Sequence, residues 1–71
     1  SNIYPNPVKD ILNVEAENID LVELYDIYGR KLYSEEKSDN VRIDMNNFSS
    51  GVYFVKIYSE GKSSVEKIMK K

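Results

Sequence analysis

An antiparallel all-β sandwich of about seven short strands is the fold class this sequence predicts, and three observations carry the prediction. Apolar residues recur with period two, at Leu12, Val14 and Ala16, at Val22 and Leu24, at Val41 and Ile43, and at Tyr53, Val55 and Ile57. That is the alternation of strands with one buried face. Turn chemistry interrupts it at short intervals: Pro5-Asn6-Pro7, Glu17-Asn18, Tyr28-Gly29-Arg30, Lys37-Ser38-Asp39-Asn40, Asn46-Asn47, Ser49-Ser50-Gly51 and Glu60-Gly61-Lys62. No helical stretch of a dozen residues lies between these turns, which favours antiparallel pairing in two sheets over any βαβ arrangement and makes the expected fold immunoglobulin-like. The predicted strands span residues 3–5, 11–16, 21–27, 31–35, 40–44, 52–59 and 64–70.

The first strand is expected to be short, at an edge and quickly turned, because Pro5 and Pro7 donate no backbone hydrogen bond and bracket Asn6, whose side chain can close the turn. Gly29 frees the backbone for a positive φ at the hairpin between the strand ending near Tyr28 and the one starting near Lys31. With neither a Gly-rich run nor a following helix, Gly29 is no phosphate loop. In Phe48-x-x-Gly51-x-Tyr53 a glycine stands two residues before a strand-starting tyrosine, with an apolar anchor upstream. The pattern is similar to the tyrosine corner of immunoglobulin-like sandwiches, in which the ring is buried and its hydroxyl bonds a backbone group of the preceding corner.

Composition narrows the function classes. The 71 residues are 41% hydrophobic and 31% charged, enough apolar content for one globular domain. Cysteine is absent, which excludes a disulfide framework and a thiolate zinc site; histidine is absent, which removes the commonest general base and transition-metal ligand. Asp39, Asp44, Asn46 and Asn47 lack the alternation and closing glutamate of a calcium loop, and Asx residues in turns cap backbone groups in any case. Glu15, Glu17, Glu35 and Glu36 could be drawn as an acid and base pair for glycoside cleavage, but solvated strand faces account for them. We therefore expect no enzyme, no metal and no cofactor.

No apolar run reaches the roughly 20 residues of a membrane-spanning helix, and no signal peptide is present. The chain starts at a strand-like segment without an initiator Met, so it is expected to be a single domain, residues 1–71, excised from a larger secreted protein, with Ser1 a possible scar of expression. Net charge is −2, but residues 1–60 carry net −5 and residues 61–71 net +3. So small a basic patch on an acidic chain argues against nucleic acid and suits a protein receptor or an anionic lipid surface. Lysine on a closing edge strand has a second explanation, as a guard against edge-to-edge aggregation, and the residues alone leave the two even.

Ile3-Tyr4-Pro5-Asn6-Pro7, Val22-Glu23-Leu24-Tyr25-Asp26-Ile27-Tyr28-Gly29, Phe48 through Ile57, and Ser64-Val65-Glu66-Lys67-Ile68-Met69-Lys70-Lys71 together cover essentially the whole chain. With these motifs it resembles the type A C-terminal sorting domains that Bacteroidetes append to cargo of the type IX (Por) secretion system. One departure is Phe48, where the family more often has leucine. The resemblance implies an address label and a monomer, which folds in the periplasm, is recognised by the outer-membrane translocon, and is removed by a sortase-like protease. The cut would fall upstream of Ile3, leaving the cargo secreted or on the cell surface. It also tips the lysine question towards recognition, placing the sorting signal on Lys67, Ile68, Lys70 and Lys71, with Tyr4, Pro5, Asn6, Pro7, Gly29, Gly51 and Tyr53 as structural motif residues. The competing possibility is an accessory carbohydrate-binding or adhesive module using Tyr25, Tyr28, Tyr33 and Tyr58. Against it, these rings can simply cover the outer sheet, and tryptophan is absent.

Overall fold

Period-two patterning governs the backbone throughout, but it is packaged in fewer, longer strands than the turn signals suggest. In the computed structural model, which describes residues 2–71, the strands are β1 (Asn2–Tyr4), β2 (Ile11–Tyr25), β3 (Lys31–Asp44), β4 (Gly51–Ser59) and β5 (Lys62–Lys70). Ser1 lies outside the described residues. There are five strands, not seven, because the expected strands 11–16 and 21–27 are one element and so are 31–35 and 40–44.

The reason is local. Asn18 and Lys37 do take the positive φ of turn residues, 53° and 49°, yet neither ends its strand. Asn18 lies where the β2–β3 pairing slips and Lys37 just beyond it: Glu15 faces Asn40 and Ile19 faces Ser38, so three residues of β2 are accommodated against one of β3. Extra residues in one strand bend the ribbon and change the phase of its faces without terminating it. Buried positions accordingly shift from Leu12 and Val14 to Ile19, and a second slip against β4 restores Val22 and Leu24 to the core face.

All five strands pair antiparallel within one sheet of order β1-β2-β4-β5, with β3 along the other side of β2. β1 and β4 share an edge of β2, β1 beside residues 13–15 and β4 beside residues 19–25. The pairing therefore shows a single bent sheet, and the two-sheet, immunoglobulin-like description does not carry over from the sequence. Because the β2–β3 ribbon bends, one core takes Leu12, Val14, Val41 and Ile43 from its first half and Val22 and Leu24 from its second, together with Tyr53, Val55 and Ile57 of β4. Val8, Met45 and Ile68 complete that core. At roughly 1.5–3 kcal/mol per buried aliphatic side chain, this burial is the main favourable term. β5 contributes Ile68 alone to it.

Two connections hold the ends of the ribbon. In the β2–β3 loop, Asp26 Oδ1 accepts from the backbone N–H groups of Tyr28 and Arg30, and Arg30 Nε donates to Asp26 Oδ2 at 2.7 Å. The Asp26 and Arg30 backbones add another bond, and Gly29 N–H donates to Asp26 O with Gly29 at φ 80°, a conformation in which an L side chain is strained. Burial pushes the Asp26 carboxyl up, but the hydrogen bonds from Arg30 and Tyr28 and the Arg30 charge outweigh it and hold the carboxyl below its usual range. Glu23, nearly buried on the outer face of β2, is likewise lowered, chiefly by the Tyr25 hydroxyl and, against the cost of burial, by Lys31 and Lys56.

At the other connection the Tyr53 hydroxyl donates to Ser49 O at 2.6 Å, and the Phe48 and Tyr53 rings lie with centroids 5.9 Å apart. This is the corner bond anticipated from Phe48-x-x-Gly51-x-Tyr53. Asp44 behaves as a turn cap, accepting from Asn46 N–H, whereas Asp39 accepts from Asn18 N–H across the β2–β3 ribbon.

Tyr53→Phe should lower the unfolding free energy by about 1–2 kcal/mol in urea titrations, since the Ser49 carbonyl loses its donor while ring packing is kept. Gly29→Ala should cost about 1–2 kcal/mol, entirely through the left-handed backbone, because a Cβ there meets no atom within 4 Å. For pH the sign follows from two carboxyls whose folded pKa values lie below their unfolded ones. Their contribution is complete above the unfolded values and is lost as pH falls through the folded ones, so stability should be flat from neutrality to about pH 5 and decline below about pH 4. Denaturant midpoints at a series of pH values check this, and Asp26→Asn should flatten the decline.

Candidate functional site

Glu60 and Gly61 both take positive φ, 53° and 76°, giving the tight two-residue hairpin that starts β5 back along β4. From Lys62 opposite Ser59 to Lys70 opposite Gly51, β5 is paired on this side at every position. Its other edge is closed only at the C-terminal end, and a side chain does much of the closing. Asn6 Nδ2 donates to Lys67 O at 3.3 Å while Asn6 Oδ1 accepts from Met69 N–H at 3.0 Å. One amide side chain thus stands where the peptide group of a neighbouring strand would be. Val8 continues the contact, its N–H donating to Met69 O at 2.7 Å and its carbonyl accepting from Lys71 N–H at 2.8 Å.

The Tyr4-Pro5-Asn6-Pro7 segment makes this reach possible. Tyr4 ends β1 opposite Asn13, and Asn13 Nδ2 donates to Tyr4 O. The Tyr4 hydroxyl bonds Glu15, which raises its pKa, first through that hydrogen bond and then through burial and the carboxylate charge. The Tyr4–Pro5 and Asn6–Pro7 bonds are both cis. Asn6 was expected to close its own turn. Its side chain is turned instead onto a strand more than sixty residues away, a partner no local pattern reveals.

Alternation along β5 distributes the four proposed signal residues over different environments. Lys67 is exposed on the outer face opposite Phe54, beside the exposed Met69 opposite Val52. Ile68 is fully buried against Tyr53, so in the folded domain it anchors the strand and its side chain offers nothing to a partner. Lys70 is half-buried on the inner-face side opposite Gly51, with its ammonium against Lys71 O, and Lys71 is exposed. The basic residues therefore do not form one face: Lys67 looks one way and Lys70 the other. Among the described residues Lys67, Lys70 and Lys71 enter no ion pair, which leaves their charge available at this end of the sheet. Met69 and Val65, exposed apolar residues on the outer face next to Lys67, are additions that the alternation around Ile68 would have indicated.

The four tyrosines of the competing reading are dispersed. Tyr25 lies opposite Phe54 on the outer face, and Tyr58 opposite Leu21 with Lys56 Nζ 5.0 Å from its ring centre. Tyr33 belongs to the opposite face, packed against the core, and Tyr28 is not on the sheet at all but in the loop. The expectation that all four cover the outer sheet holds for Tyr25 and Tyr58 only. The hydroxyls of Tyr25 and Tyr33 are bound to Glu23 and Glu35. Among the described residues no three acidic side chains converge on a metal position, and no helix is long and apolar enough to cross a membrane.

Comparison with known proteins agrees with the motifs. The family described as a secretion system C-terminal sorting domain matches residues 2–71, so the match includes Asn6, Val8 and the strand they clasp. No curated protein matches the chain. Over all its described length, the chain belongs to the family of type IX secretion C-terminal sorting domains.

Proposed function

We propose that the domain is an address label that acts while folded, from the C-terminal end of a larger secreted protein, and that the outer-membrane translocon reads β5. The observation that carries this is the clasped strand itself: a basic segment held at a fixed position by Asn6 and Val8, with lysine charges that no carboxylate neutralises. Preorganisation of this kind lowers the entropy lost on docking, and unpaired charge favours a complementary acidic receptor. In this reading the domain is not an enzyme, its cargo crosses the periplasm, and a sortase-like protease then removes the domain upstream of Ile3, leaving the cargo released or on the cell surface. The aggregation guard remains the competing role for the same lysines, and secretion assays separate the two.

Fused behind a signal peptide and a fluorescent reporter in a bacterium that has the type IX system, residues 1–71 should bring the reporter outside the cell, and disabling the translocon should abolish this. Reporter retained in the periplasm of the intact host contradicts the proposal. Lys67→Glu and Lys71→Glu combined, both at exposed positions, should leave the melting temperature nearly unchanged, as exposed substitutions usually do, while export fails. Export at the wild-type level would reduce the basic strand to an aggregation guard. Ile68→Ala should behave differently, costing about 2–5 kcal/mol of stability and losing export only in proportion to unfolding. The dispersed tyrosines predict no saturable binding to polysaccharides by calorimetry or pull-down; binding abolished by Tyr25→Ala or Tyr33→Ala would favour the carbohydrate reading.

A further inference from the structure

The end of the sheet formed by the β2–β3 loop and the corner before β4 has features that the fold does not require. Ile27 and Tyr28 are 60% and 77% exposed, although the loop that carries them is held by five hydrogen bonds centred on Asp26 and Arg30. Large apolar side chains held rigid in solvent contribute nothing to folding, whereas a rigid presentation reduces the entropy lost on binding. Beside them is a cleft of about 370 Å³, walled by Leu32, Phe48 and Val52. Phe48 and Leu32 are partly buried hydrophobics packed on the core, so the wall is firm.

Charge narrows what the cleft would accept. Asp26, the acidic residue lining it, already receives three hydrogen bonds, one of which is the Arg30 ion pair. Arg30 uses Nε for that pair and has its guanidinium carbon 5.4 Å from the centre of the Tyr28 ring, while its side chain stays 73% exposed. Among the described residues its two terminal nitrogens have no partner. An oriented guanidinium fork beside a tyrosine and an isoleucine matches a carboxylate next to a large apolar group, and tyrosine and arginine are both enriched at the hot spots of protein interfaces.

We propose that this cleft is a second docking surface of the sorting domain, which takes an extended segment of a protein of the secretion apparatus in which a carboxylate stands beside an aromatic or aliphatic side chain. The proposal rests on the sorting reading for the identity of its partner; the cleft adjoins the end of β5, since Gly51 and Val52 of its lining pair with Lys70 and Met69, but it meets a carboxylate through Arg30 rather than through the lysines of β5.

The test has two arms. In the first, the isotope-labelled 71-residue chain is titrated by NMR with the capped hexapeptide Gly-Phe-Asp-Phe-Asp-Gly, up to about 10 mM, and with the same peptide carrying lysine for aspartate. Saturable shifts at residues 27–30 and 48–53 with the acidic peptide only are expected, weakened at least about fivefold by Ile27→Ser with Tyr28→Ser. No shifts, shifts confined to other residues, or equal shifts with the lysine peptide would overturn the proposal. In the second arm the reporter fusion carries the same double substitution, whose side chains are largely in solvent, so its melting temperature should match the wild type while export drops. Wild-type export by this variant overturns the cleft proposal and leaves the sorting reading intact. Failure of the unsubstituted fusion to be exported, with the acidic peptide still bound, overturns the sorting reading and with it the identity assigned to the partner.

Discussion

Everything distinctive about this domain depends on a single amide side chain that stands in for a strand. Asn6 both donates to and accepts from the backbone of β5, and Val8 extends the contact by two more bonds. At a net of about 0.5–1.5 kcal/mol per hydrogen bond, these four are comparable in sum with the burial of one or two core side chains. That comparison matters because β5 has only Ile68 in the core and would otherwise be an edge strand held on one side. The clasp fixes the register of the last residues and encloses Val8 and Ile68, both fully buried.

The clasp also explains the division of labour along β5. Odd-numbered residues turn their backbone groups away from β4, as Lys67 O, Met69 N–H and Met69 O show by bonding Asn6 and Val8. Upstream of Lys67 the same edge faces solvent, and there the strand carries Val65, Ser63 and Lys62 with no core contact. The closed part presents side chains from a fixed frame; the open part is an edge that charge must protect from pairing with other chains. Lysine suits either purpose, which is why the residue type alone does not decide between recognition and guarding.

Period-two alternation in β4 and in the flanks of the β2–β3 ribbon was legible because one face of each is buried. What misled was turn chemistry at Glu17-Asn18 and Lys37-Ser38-Asp39-Asn40. A residue with positive φ can end a strand or bulge it, and only the partner strand settles which; here Asn18 and Lys37 lie near the same slip, so the ribbon bends as a unit. Tyr53 was legible down to its hydrogen bond, since a buried phenol beside a corner has few partners within reach. Asn6 was placed in a turn, but its partners lie across the chain. The Asp26–Arg30 staple is legible in principle, as an Asx residue four positions before an arginine with glycine between, a pattern in which the glycine alone indicates a turn but not the side chains that hold it.

Amide hydrogen exchange on β5 tests the clasp most directly. In the wild type, Met69 and Lys71 N–H should be protected and Val65 N–H should exchange rapidly, because Asn6 and Val8 cover only the end of the edge. In Asn6→Ala the Met69 amide should lose protection while the amides that pair β5 with β4 keep theirs. Equal rates for Met69 and Val65 in the wild type, or a Met69 rate unchanged by Asn6→Ala, would contradict the account.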